Sequence, residues 1–242
     1  MGWDRIANTS VHHIVRGNGD KLYGVGDDGA VYENSGRSYH WNRITSGDVS
    51  FIAIYEGRIY GLGKDNAVYR QDLNYGGRWK KITTGSVTKF VIRGDYIYGL
   101  GMDNDIWKSS LYGRSGSIKN WDRVTEGSVK DFTIYRGMFY GVGMNGEIFK
   151  QRVDGWGNWQ QITTGTVTQV QVHNNKIYGL GTDNDIWEHP LEQDYRGWTR
   201  STSGSVSHFF VDAHASHFIG VGMDNDVWTH EIPPDFMYSR RY

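Results

Sequence analysis

Apolar and polar residues alternate along this chain in short runs, and no segment carries the 3.6-residue period of an amphipathic helix. The stretch Y-G-L-G-M-D-N-D-I-W-K, from Tyr98 to Lys108, shows the pattern in compact form. Tyr98 to Met102 has the apolar and aromatic bias of a strand, Asp103-Asn104 is a turn pair that tolerates positive φ, and Asp105 to Lys108 begins a return strand. The stretch predicts a β-hairpin. Near-copies begin at Tyr23, Tyr60, Tyr140, Tyr178 and Ile219, so the hairpin occurs six times.

A second marker opens each unit: Trp3, Trp41, Trp79, Trp121, Trp159 and Trp198, at intervals of 38, 38, 42, 38 and 39 residues. Each unit reads like Trp79-Lys80-Lys81-Ile82-Thr83, a Gly85-Ser86 turn, the apolar run Val87 to Ile92, a polar turn at Arg93-Gly94-Asp95, and then the hairpin. Four short strands recurring about every 40 residues predict an all-β fold, a six-bladed β-propeller of four-stranded antiparallel blades. The ends of the chain complete the count. Trp3 to Ala7 is an outer strand with no hairpin before it, and the last hairpin has no such strand after it. The N-terminal strand is therefore expected to finish the last blade and close the ring. Blades are expected at 10–45, 48–83, 86–125, 128–163, 166–202, and 205–232 plus 3–8, giving one domain over 1–232. Residues 233–242, with Phe236, Met237, Tyr238 and Tyr242, fall outside the repeat as a tail or strap, packed on a face or against a partner subunit of a homo-oligomer.

Composition narrows the function. Among 242 residues, Lys plus Arg (26) nearly equals Asp plus Glu (27), so no net field draws nucleic acid or an anionic membrane. There is no cysteine, which removes disulfides, thiolate metal sites and cysteine nucleophiles, and no long apolar run for membrane insertion. With no apolar signal region at the N-terminus, a cytoplasmic protein is expected, while a mature secreted form or non-classical export stays open. The nine histidines are read as sharing no repeat position, and no nucleophile elbow, phosphate loop or metal-ligand spacing accompanies them. The expectation is a non-enzyme with no cofactor and no metal. The Asp-Asn pairs are read as turn geometry, since a calcium loop spreads its ligands over a longer arc. The opening tryptophans are read as wedges between blades, with sugar platforms as the alternative.

The loops between each hairpin and the next opening Trp vary in length yet keep an aromatic among polar residues. Tyr39, Tyr75 with Arg78, Tyr112 with Arg114, Trp156 with Asn158, Tyr195 with Arg196, and Tyr238 in the tail are the candidate binding residues. Exposed rings can stack on the C–H faces of sugars while nearby polar groups hold hydroxyls. The alternative is that the rings fold back over the blade edges.

The unit W-x-x-I-x-G-x-V-x-x-F with its Y-G-V/L-x-x-D/N-x-I-Y/W hairpin resembles the tectonin repeat, and Val153 to Ile162 (V-D-G-W-G-N-W-Q-Q-I) is similar to segments of the tachylectin-1 type. The resemblance covers all six units. It implies a propeller lectin that binds glycans on microbial or parasite surfaces in defence, the targets being lipopolysaccharide, GlcNAc-type or O-methylated sugars. The chain departs from the pattern in two ways. Gly26, Gly63, Gly101, Gly143, Gly181 and Gly222 stand where members commonly carry Asn, and the cysteines of secreted animal members are missing. The reading is a multivalent carbohydrate-binding protein whose partners are cell-surface glycans; the alternative is a propeller scaffold for protein–protein interaction.

Overall fold

The computed structural model describes residues 2–8, 10–34, 40–73, 77–112, 118, 120–155, 157–192, 197–212 and 216–232. Among these the chain forms strands and no helix. The strands make six four-stranded antiparallel sheets arranged in a ring, a six-bladed β-propeller. Blade 3 shows the plan: Val87–Arg93 innermost, then Tyr96–Gly101, Ile106–Ser110 and the short outer strand Asp122–Arg123.

The repeated sequence features each have a local cause. Asn66, Asn104, Asn184 and Asn225 sit at φ 59, 65, 64 and 63 in the hairpin turns, and Gly29 and Gly146 take that place in the other two, so the turn pairs do supply positive φ. The side chain one residue earlier accepts the backbone N–H two residues on, at 3.2 Å from Asp105 to Asp103, and equivalently in all six turns. The Thr after the outer strand has a role too in blades 1, 2, 3 and 5. Thr45, Thr83, Thr125 and Thr202 accept the first N–H of the third strand through Oγ1, at 2.8 to 3.2 Å.

Ring closure follows the expected route. Asp4–Ala7 pairs antiparallel with Val227–Glu231, with Asp4 opposite Thr229 and Arg5 opposite Trp228. The core is divided into six clusters, one at each blade interface, because each sheet buries both faces against its neighbours. Phe90, Phe132, Phe139, Phe209 and Phe218 are among the side chains fully buried there.

Every inner strand shifts register near its start, between Val11 and His13 in blade 1 and at the same place in the others. The residues just past the shift are His13, Phe51, Lys89, Asp131, Gln169 and His208, and they join the inner strands hand to hand. His13 stacks on Phe51 and His208 (ring centroids 4.3 and 4.5 Å apart), Lys89 pairs with Asp131, Asp131 accepts the Val170 N–H at 2.8 Å, and Gln169 donates to the Phe209 carbonyl at 2.7 Å. This corrects the expectation that the histidines share no repeat position. His13 and His208 are equivalent, as are His189 and His230. No consensus flags the axial position because five residue types occupy its six copies.

Candidate functional site

Each opening tryptophan lies in the cleft between its own blade and the preceding one. Trp121 packs against a cluster formed by Tyr60, Leu62 and Val68 of blade 2 and Phe90 and Ile97 of blade 3. The expected wedge role is thus met, but all six rings keep part of their surface in solvent. The indole nitrogens of Trp3, Trp41, Trp79, Trp121 and Trp159 are buried without a partner, and that of Trp198 donates to the Thr164 carbonyl at 2.8 Å. What such a ring offers outward is apolar carbon surface.

A second aromatic stands beside it, four residues past the first turn residue: Tyr32, Tyr69, Trp107, Phe149, Trp187 and Trp228. Between the two rings runs a groove on the face that carries the hairpin turns. Its volume is about 370 Å³ in blade 3, with Trp121, Trp107, Asp103 and Met102 in the lining, and about 320 Å³ in blade 6, with Trp3, Trp228, Asp224 and Met223. In blade 2 it reaches about 570 Å³. The two glycines of the hairpin make this possible. A Cβ on Gly61 would meet Trp79 at 3.0 Å, and one on Gly63 would meet the Tyr69 ring at 2.6 Å. Any side chain in the second position would press on that aromatic wall.

The turn carboxylate and the second aromatic are matched in chemistry. Tyr32 and Tyr69 donate their hydroxyls to Asp28 (3.0 Å) and Asp65 (2.9 Å), and Trp107, Trp187 and Trp228 donate their indole N–H to Asp103, Asp183 and Asp224 (3.2 to 3.3 Å). Blade 4 replaces both at once: Phe149 has no donor, and Asn145 holds the acid's place. The hydrogen bond from Lys81, followed by that from Tyr69, holds Asp65 down at about 2. The Ala30 N–H is the largest of several influences that lower Asp28. These groups are therefore ionised acceptors, suited to hydroxyl donors.

The cation two residues after the opening Trp completes the surround. Arg123 and Arg200 bind the buried Asp105 and Asp185, and Arg5 reaches Asp226 at 3.2 Å. In blades 1 and 2, where Ala30 and Ala67 stand instead of that acid, Arg43 and Lys81 turn to Asp28 (3.5 Å) and Asp65 (2.7 Å). Blade 4 carries Gln161, which donates to the Thr163 carbonyl at 3.3 Å. Asp105 and Asp185 also accept the N–H of Gly127 (3.0 Å) and Gly204 (2.8 Å), tying the hairpin to the connection into the next blade.

Of the residues singled out from sequence, Tyr39, Tyr75, Arg114, Trp156, Tyr195, Arg196 and Tyr238 lie outside the described residues. Arg78 lines the blade 2 groove beside Trp79. Asn158 is exposed just before Trp159. Tyr112 is exposed, and its hydroxyl donates to Glu56 of the neighbouring blade, a bond that pushes the phenol up to about 12. These three are not brought together. Val153, Asp154 and Gly155 do line a separate groove of about 400 Å³ between blades 3 and 4, where Lys108 lies 3.8 Å over the Tyr96 ring. The hairpin aromatics and turn acids escaped the sequence reading because their sameness reads as scaffold. The usable signal was the paired exchange of Asp with Tyr or Trp for Asn with Phe.

These features define the class by fold: a six-bladed β-propeller with a repeated aromatic groove. No family model matches the chain, and no curated protein matches it in sequence. Solved structures match in fold. YCF48 from Cyanidioschyzon merolae has a TM-score of 0.63 at 12% identity, covering 96% of this chain and 99% of that one. Hsv2 from Kluyveromyces lactis has a TM-score of 0.61 at 13% identity over 94% and 76%. A Bacteroides thetaiotaomicron protein of unknown function reaches 0.70 at 11% identity over 96% and 72%. At such identities the likeness concerns the fold alone.

Proposed function

We propose that this protein is a multivalent carbohydrate-binding lectin of the tectonin kind, without enzymatic activity, that recognises surface glycans of microbes or parasites in defence. The observation that supports this most directly is the groove between opening Trp and hairpin aromatic, with a turn carboxylate at its edge. A sugar ring has an apolar C–H face and a rim of hydroxyls. The indole carbon surface suits the first, and carboxylate acceptors at the hairpin turns suit the second. GlcNAc-type and O-methylated sugars, and lipopolysaccharide, are the targets the repeat resemblance brings forward. Single-site affinity at so open a groove is weak, and repetition around a rigid ring converts it to avidity over a glycan array by effective concentration.

The test is a glycan array and cell agglutination, with reversal by free sugar. Wild type should bind and agglutinate, and Trp107→Ala combined with Trp228→Ala should lower the avidity at least tenfold. Absence of binding across neutral, acidic, acylated and methylated glycans would sink the reading.

A second reading, a docking platform for protein partners, draws on Met102, Met144 and Met223. These are 62%, 58% and 62% exposed at equivalent places on the groove face. Flexible thioethers suit adaptable apolar contacts. A stoichiometric partner, lost on changing these methionines to Ser while glycan binding is absent, would favour it.

A further inference from the structure

The grooves of blades 2, 3 and 6 are not chemically equal, and blade 2 departs from the other units at three positions that border one cavity. Before the inner strand, Asp48 stands where the other units have Ser or Thr. After the second hairpin glycine, Lys64 stands where they have Asp, Met or Thr. Before the opening tryptophan, Arg78 stands where they have Gly, His or Asn. All three line the largest of the grooves described above.

The pairing decides the sign of the charge. Lys64 reaches Asp48 at 3.2 Å and Lys81 reaches Asp65 at 2.7 Å, which leaves Arg78 without an acidic partner among the described residues. The blade 3 and blade 6 grooves are opposite in character. Their only charged lining residues are Asp103 and Asp224, and their cations Arg123 and Arg5 are tied to Asp105 and Asp226. An anion is therefore repelled at two grooves and attracted at the third. Asp48 also holds φ at 81, a left-handed conformation that is unfavourable for a non-glycine residue and that is absent from its counterparts Ser86, Ser128, Thr166 and Ser205. Strain retained at a single unit marks that unit as different from its repeats.

We infer that the blade 2 groove takes an acidic sugar, its carboxylate on Arg78 and its C–H face against Trp79 and Tyr69, while the grooves of blades 3 and 6 take neutral ones. This rests on the lectin reading. The planar guanidinium suits a carboxylate bidentately, and a sulfate ester presents related anionic oxygens. The site makes the protein a reader of mixed surfaces, where neutral and acidic residues occur on one glycan coat.

The experiment is an array of matched pairs, one oligosaccharide ending in glucose, in glucuronic acid or in 6-sulfated glucose, probed at 50 mM and 500 mM salt. Wild type should favour the glucuronic acid member about tenfold at low salt, with the preference shrinking at high salt. Arg78→Gln should bring the acidic-to-neutral ratio close to one, and its thermal unfolding checks that it is folded. A preference for the sulfated member alone would reject the carboxylate assignment. Equal wild-type binding to neutral and acidic members overturns the inference and leaves the lectin reading intact. A ratio unchanged in Arg78→Gln overturns it as well. Binding to no member of this or the broader array removes the lectin reading itself.

Discussion

His13 and His208 face one another with ring centroids 4.5 Å apart, across the seam where the last blade meets the first. Burial, and then the neighbouring His208, keeps His13 well below the usual imidazole range. Burial also brings His208 down to about 4, assisted by the charge of Lys89. In the unfolded chain both protonate near 6.5, so between pH 6.5 and 4 the unfolded state binds more protons. Stability is thus full above 6.5 and is lost as pH falls towards 4. Thermal unfolding against pH should show a fall of about 3 kcal/mol or more over that window. His208→Gln, which copies the residue found at this position in blade 5, should flatten the profile.

Closure by the first strand makes a second prediction. Asp4–Ala7 supplies the outer strand of blade 6, buries Ala7, and follows Trp3, which packs in the cluster between blades 5 and 6. Removing residues 1–8 exposes that cluster and an unpaired sheet edge. A loss of about 3 kcal/mol or more corresponds to roughly 10 °C in melting temperature for a chain of this size. An unchanged melting curve would mean the seam holds without it.

Space at the hairpin glycines is the third. On Gly61 a Cβ would lie 2.6 Å from Val49 Cγ1 and 3.0 Å from Trp79. Gly61→Ala should cost about 1–3 kcal/mol through overpacking. The same variant should shift the tryptophan emission, because Trp79 has to move. Gly57→Ala is a backbone control: its Cβ meets nothing within 4 Å, but φ is 68, so a smaller loss of about 1 kcal/mol is expected.

Two ion pairs should behave differently. Asp105 is buried and holds both Arg123 and the Gly127 N–H, whereas Arg152 and Asp154 are 70% and 72% exposed. Asp105→Asn should destabilise by about 1–3 kcal/mol, because a buried charge-assisted pair and the brace into blade 4 are both weakened. Asp154→Asn should leave the stability unchanged within the error of the measurement. Denaturant melts of both variants decide the matter, and equal effects would argue against the bracing role of Asp105.

The hairpin from Tyr98 to Lys108 carried nearly all of the fold in its own letters. Strand bias, the Asn104 turn and the spacing of the tryptophans are local properties, and local properties repeated six times leave few architectures open. The unmatched outer strand at Asp4–Ala7 was likewise readable, because counting strands needs no coordinates. The site was harder. Asp103 and Trp107 look like a turn and a strand residue when read along the chain, and only their facing of Trp121, with Met102 and Ser86 alongside, makes a groove.

The sequence by itself determined the repeat, the strand order and the closure of the ring, since these follow from periodicity and turn chemistry acting within about 40 residues. Only the tertiary structure decided what the ring surrounds and what it displays. Lys89 meets Asp131, His13 meets His208, and Arg78 shares one groove with Lys64 and Asp48, through distances set by the packing of whole blades against one another. Packing is a relation between surfaces far apart in the chain, and its outcome at each blade depends on residues that vary from one copy to the next.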